Sequence, residues 1–266
     1  MAHTRVRIPL LALTLGAGLS LTVAGCASGS GDKEGGAKGG APAVVATTTW
    51  EGAFAKAAGA KNVEVIVPSS AQHAPDYDPK PSDLAAVADA DFVLYAPFEP
   101  YAEKIKEAAG SDAELVEQAL DNDAGKVRAE VTRLGKLFGT EDAAAEWNKS
   151  FDTGYATLQK DLKSAWPDGK APGVVAQVFS VWTAKMAGAE VLGTYGPETV
   201  TAKQLSELSR KKPSFVLDNV HMSSGEVLPG SGARQVGVVN YPGEDLDLLS
   251  VYRDAARTLE KEMNAA

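Results

Sequence analysis

The chain has 266 residues, a formal charge of −9 from 26 basic and 35 acidic residues, and one cysteine. A net acidic chain without a basic cluster argues against nucleic acid as a partner, and a single cysteine excludes both an internal disulfide and a thiolate metal centre. The length allows one large domain or two lobes of about 100 residues each.

Arg5 and Arg7 precede an apolar run from Ile8 to Val23, and Ala24-Gly25-Cys26 follows. A basic start, an apolar stretch and small residues before a cut site predict a signal peptide over 1–25. The run is short for a membrane span and has no stop-transfer flank. Leu21-Thr22-Val23-Ala24-Gly25-Cys26 resembles the bacterial lipobox, whose cysteine becomes the lipidated first residue, so Cys26 is the expected lipidation site. More than one acyl chain gives stable anchoring, which places the protein on the outer face of the cytoplasmic membrane. Losing Arg5 and Arg7 takes the formal charge from −9 to −11. Residues 26–42, rich in Gly, Ser and Ala, have no apolar periodicity and read as a flexible tether.

From Ala43 strands and helices alternate. Val44–Thr47 reads as a strand, Trp50–Ala60 as a helix ending near Gly59, and Val63–Val67 as a strand stopped by Pro68. The next stretch, Gln72 to Asp83, packs His73, the acids Asp76, Asp78 and Asp83, and three prolines into a loop that proline keeps stiff. It is either a rigid surface turn or a loop that holds donor atoms in place before a ligand arrives. Ser82 is the expected cap of a short Ala-rich helix. Asp91–Tyr95 reads as a strand, Pro100–Ala109 as a helix, Glu114–Val116 as a strand and Ala124–Phe138 as a helix. This β/α alternation implies a mainly parallel sheet.

Glu141–Trp166 differs. Trp147, Phe151, Tyr155, Leu158, Leu162 and Trp166 make one helical stripe over about 25 residues, about 38 Å of helix, stopped at Pro167-Asp168-Gly169. Such a helix either packs against the β/α blocks on both sides or belongs to one of them. Alternation then resumes, with strands at Gly173–Val178, Glu190–Leu192, Ser214–Asp218 and Gln235–Val239. Helices are expected at Val181–Ala187, after a capping box at Thr201 and Gln204, and from Leu246 to Met263.

Ligands of open α/β sheets bind beyond the carboxyl ends of the strands. The polar groups there are His73 with Asp76 and Asp78, Glu117, Gln177, Asp218, His221 and Asn240, drawn from both halves, which suits a cleft between two lobes. Histidine and carboxylate without thiolate suit Zn²⁺ or Mn²⁺. Gln177 and Asn240 are weak ligands that read better as turn or cap residues, and Trp182 and the Trp147 stripe read as core. No nucleophile elbow, glycine-rich phosphate loop or paired zinc-ligand helix is present, so an enzyme is not expected.

Several segments resemble the metal-binding solute-binding proteins of zinc and manganese ABC importers. Tyr77-Asp78-Pro79-Lys80-Pro81-Ser82-Asp83 is similar to that family's Tyr-Glu-Pro-x-Pro-Ser-Asp. Ala88-Asp89-Ala90-Asp91-Phe92-Val93, Glu99-Pro100 and Leu246-Asp247-Leu248-Leu249 resemble other family segments. The resemblance implies two β/α lobes with mainly parallel sheets, 43–140 and 167–266, joined by one long helix, 141–166, with the ligand cleft between them. It implies a divalent metal, Zn or Mn, as transported ligand, an ABC permease as membrane partner, and a monomer. The family's ligand positions are rewritten. Pro75 stands where its first histidine belongs, with His73 two places earlier, and Glu117, Gln177 and Asn240 occupy the other three. His73, Glu117, His221 and Asp218 are the expected metal ligands. The alternatives are a same-fold binder of another solute or a metal chelate, and a lipid-anchored adhesion or scaffold protein.

Overall fold

A computed structural model describes residues 41–69, 71, 74–223 and 225–265. The expected signal segment, Cys26, nearly all of the tether and His73 lie outside the described residues. The first sheet comprises β1 (Ala43–Ala46), β2 (Asn62–Val65), β3 (Phe92–Tyr95) and β4 (Glu114–Glu117), all parallel, in the order β2-β1-β3-β4. The second comprises β5 (Gly173–Gln177), β6 (Glu190–Tyr195), β7 (Phe215–Asn219) and β8 (Arg234–Val238), again all parallel, in the order β6-β5-β7-β8. The two sheets therefore share one topology, and in each the chain changes direction of travel between its first and third strands.

The first sheet carries α1 (Thr49–Ala57), α2 (Pro81–Ala88), α3 (Ala102–Ala108) and α4 (Ala124–Phe138). After α5 (Glu141–Ser164) the second sheet carries α6 (Val181–Ala187), α7 (Ala202–Ser209) and α8 (Leu248–Asn264). Both faces of each sheet are covered, so alternate residues of β1 enter different cores. Val44 and Ala46 join the central one, and Val45 joins an outer cluster with Val87 and Ile105. This is why the strands read as unbroken apolar runs.

The two lobes are not separate bodies. One continuous core takes in Val44, Ala46 and Leu94 of the first sheet and Val174, Ala176 and Leu217 of the second. The α5 stripe runs through it. Phe151 stacks on Trp147 at 5.0 Å and meets Tyr252 of α8 edge-on at 5.1 Å, and Tyr252 in turn meets Trp182 of α6 at 5.0 Å. The long helix thus touches both halves, and the described residues pack as one unit. Hydrogen bonds add to this seam: Tyr252 Oη donates to the Asn122 carbonyl at 2.9 Å and Asn122 Nδ2 to the Asn240 carbonyl at 3.0 Å.

Two local expectations need correction. Ser82 does not cap α2. Pro81 takes the first helical position, where its missing N–H costs nothing, and Lys80 becomes the cap residue. Asp83 then reaches back to accept from Lys80 N at 2.8 Å and from Tyr77 Oη at 2.8 Å, which fixes the Tyr77–Asp83 half of the loop. The strand expected at Glu190–Leu192 runs on to Tyr195 as β6, because it pairs with β5 all the way to Gln177. The capping box at Thr201 forms, with Thr201 N donating to Gln204 Oε1 at 3.0 Å.

Candidate metal-binding cleft

The carboxyl ends of both sheets meet over three rings. Trp50, at the start of α1, packs edge-on against Tyr241, which follows β8, with centroids 5.0 Å apart. His221, in the turn after β7, meets the same Tyr241 ring at 4.8 Å. His221 is held there by its own strand end, since Asn219 Oδ1 accepts its backbone N–H at 3.1 Å.

The other expected ligands are placed differently. Glu117 is exposed at the end of β4, and Arg133 of α4 donates to its carbonyl at 3.1 Å. Asp218 is 3% exposed and already engaged. It accepts from Tyr195 Oη at 2.6 Å and from Gln235 Nε2 at 3.1 Å, so it ties β7 to both β6 and β8. Gln177 caps the turn after β5, accepting from Phe179 N at 2.7 Å, and its amide reaches Met222 Sδ at 3.9 Å. Asn240 accepts from Trp182 Nε1 at 2.9 Å. Asp78 is an exposed partner of Lys104 at 2.8 Å. Among the described residues no three His, Cys, Asp or Glu side chains converge as a metal-holding group. The structure brings His221 to the lobe interface and leaves Glu117 and Asp218 elsewhere, while His73 lies outside the described residues.

The strongest electrostatic feature was not among the expected ligands. Glu51, in the first turn of α1, is fully buried, and Glu99, after β3, is 7% exposed. Local geometry explains half of each carboxyl. Thr48 N donates to Glu51 Oε2 at 3.1 Å and the Thr48 hydroxyl donates to the same oxygen, completing a capping box. Ala96 N donates to Glu99 Oε2 and Tyr101 Oη to Glu99 Oε1, each at 3.1 Å. The two acids also lie against each other. Burial first, and the Glu99 charge second, push the Glu51 carboxyl up to about 8, and burial raises Glu99 as well. Tyr241 feels the pair from the second lobe, its phenol pushed up to about 12 by burial and by the charges of Glu51 and Glu99. The only sequence signals were the Thr48-to-Glu51 spacing of a capping box and the Glu99-Pro100 dipeptide, and neither shows burial.

Residues 44–161 match the family described as ZnuA, zinc-uptake complex component A, periplasmic. No curated protein sequence matches the chain. Among solved structures, the laminin-binding protein Lmb of Streptococcus agalactiae, described as a bifunctional protein with adhesin and metal transporting activity, is similar at 17% identity. It covers 84% of this chain and 99% of its own, with a TM-score of 0.62. The Mn-bound periplasmic metal binding protein of Candidatus Liberibacter asiaticus gives 14% identity, 84% and 99% coverage and a TM-score of 0.59. The solute-binding protein FpvC of Pseudomonas aeruginosa in complex with Ni²⁺ gives 15%, 84% and 96%, and 0.62. Two same-topology parallel sheets around a helical spine are the fold that these structures share with this chain. The family match covers the first sheet and most of α5, and the second sheet is reached only by the likeness of fold.

Proposed function

We propose that this protein is the extracytoplasmic binding component of an ABC importer, held to the membrane by lipid on Cys26. It takes up a divalent transition metal, Zn²⁺ or Mn²⁺, between its lobes and passes it to a membrane permease. The observation that carries this reading is the meeting of both sets of strand ends at Trp50, Tyr241 and His221. Support comes from the zinc-uptake family match over 44–161 and from relatives of the same fold described with Mn and Ni. Titration calorimetry of the full-length chain with Zn²⁺ and Mn²⁺ tests it. Binding heat with either ion supports the reading, and its absence with both, together with an unchanged melting temperature, ends it. His73→Ala and His221→Ala should each weaken binding more than tenfold if those side chains ligate the ion, and unchanged affinity removes that residue from the site. Loss of radiolabelled acyl incorporation in Cys26→Ala cells tests the anchor.

A second reading, capture of a metal chelate or another solute with apolar surface, is favoured by one feature. Phe98, Phe179, Val220, Met222 and Val239, all just beyond strand ends, are exposed large hydrophobics. Binding of a chelated but not a free ion separates the two.

A further inference from the structure

Glu51 and Glu99 are buried acids that no cationic side chain among the described residues compensates. Among the described residues neither forms an ion pair, yet both are buried. Carboxylates removed from water are found paired, bound to a metal, or neutralised by a proton. The donors around them leave room. Thr48 occupies only Oε2 of Glu51, and Glu51 Oε1 has no hydrogen-bond partner. Each Glu99 oxygen accepts one bond and keeps a second lone pair. The hydroxyl of Thr47, fully buried, lies against both carboxyls.

Position adds a separate argument. Glu51 follows β1 and Glu99 follows β3, the neighbouring strands between which the chain order of the first sheet reverses. That switch point is where open α/β sheets open a crevice for ligands. Trp50 and Tyr241 put this floor at the interface with the second lobe.

We infer that Glu51, Glu99 and the Thr47 hydroxyl form an all-oxygen site for one divalent cation of the Mn²⁺ type at the switch point of the first lobe, and that the carried ion sits there. This rests on the metal-carrier reading above and assigns its ligands. Two carboxylates balance a divalent charge, which the surrounding helix and strand ends do not. An oxygen donor set suits Mn²⁺ or Mg²⁺, whereas Zn²⁺ prefers nitrogen and sulfur. The Thr48, Ala96 and Tyr101 donors hold the remaining lone pairs and fix both carboxyl planes before an ion arrives.

The test is Mn²⁺ titration of the full-length chain, read by calorimetry and by the electron paramagnetic resonance of free Mn²⁺. Glu51→Gln and Glu99→Gln keep shape and remove charge, and each should lower Mn²⁺ affinity at least tenfold. Glu146→Gln on the exposed face of α5 should leave it unchanged. Thr47→Val, read with circular dichroism as a folding control, should cost several-fold and serves if either glutamine variant fails to fold. If wild type binds Mn²⁺ and the folded variants bind equally well, the site assignment is overturned while the carrier reading stands. If wild type binds no divalent ion, the carrier reading fails and the assignment falls with it.

Discussion

Beyond the strands of the second sheet Asp218, Asn240 and Gln177 are hydrogen-bonded to neighbouring groups, and beyond β1 one oxygen of the buried Glu51 carboxyl is not. Asp218 accepts from Tyr195 and Gln235, Asn240 from Trp182, and Gln177 caps its own turn. In the first lobe, with the same strand order, Glu51 and Glu99 face each other and the Thr47 hydroxyl without a countercharge. The difference separates two uses of polarity inside a protein. Groups bonded to one another fix the backbone. Groups buried without compensation cost stability and keep that interaction energy available for a ligand. The second lobe uses its polar groups to fix the backbone, and the first lobe holds the buried acids.

The largest expected effect attacks that asymmetry through pH. The Glu51 proton is held to about 8 against an ordinary 4.5. Between these values the unfolded chain releases the proton while the folded chain keeps it. The folded state binds more protons, so stability is full below pH 4.5 and falls as pH rises through about 8. The window amounts to roughly 3–5 kcal/mol. Urea unfolding in chelator at pH 5, 6.5 and 8 should show this decline in wild type and a much flatter profile in Glu51→Gln. Parallel profiles would remove Glu51 as the origin of the contrast.

The matching change in the second lobe should behave in the opposite way. Asp218→Ala strands Tyr195 Oη and the Gln235 amide in the interior and should cost about 1–3 kcal/mol at every pH. Because those donors already occupy the carboxylate, Mn²⁺ affinity should stay within about twofold; a tenfold loss would make Asp218 a ligand and break the comparison. Trp182→Phe leaves Asn240 Oδ1 without its donor and should cost about 1–2 kcal/mol in thermal melts, again without change in metal affinity.

Much of the scaffold was legible because it depends on periodicity and local chemistry. Helix α4 occupies Ala124–Phe138 as its pattern predicts, and the aromatic stripe of α5 marks a helix that touches both lobes. Errors arose where one local signal competed with another, as when Pro81 displaced Ser82 as the start of α2. The site was less legible. Thr48 and Glu51 read as a helix cap, which they are; what makes Glu51 unusual is the approach of Glu99 from another strand and of Tyr241 from the other lobe, and spacing does not carry that. His221 could be placed at a strand end from sequence, but its contact with Tyr241 could not. Asp218 was legible as a strand-end acid, whereas the two donors that occupy it come from β6 and β8.

The smallest effect concerns the seam between the lobes. Lys185 of α6 pairs with Asp123, the cap residue of α4, at 2.6 Å, with side chains 60% and 27% exposed. At such exposure water screens most of the attraction, so Lys185→Ala should cost only about 0.2–1 kcal/mol. Asp123 does more. Its Oδ1 also accepts from Gly125 N at 3.0 Å, and Lys185 beside it holds its carboxyl below the ordinary range. Asp123→Ala should therefore lose the cap as well and cost about 0.5–2 kcal/mol beyond the ion pair. The two variants and their double mutant, followed by urea unfolding at low and high salt, isolate the pair itself. A coupling that survives high salt, or that exceeds the cost of Asp218→Ala, would mean that surface charge rather than the shared aromatic core holds the two lobes together.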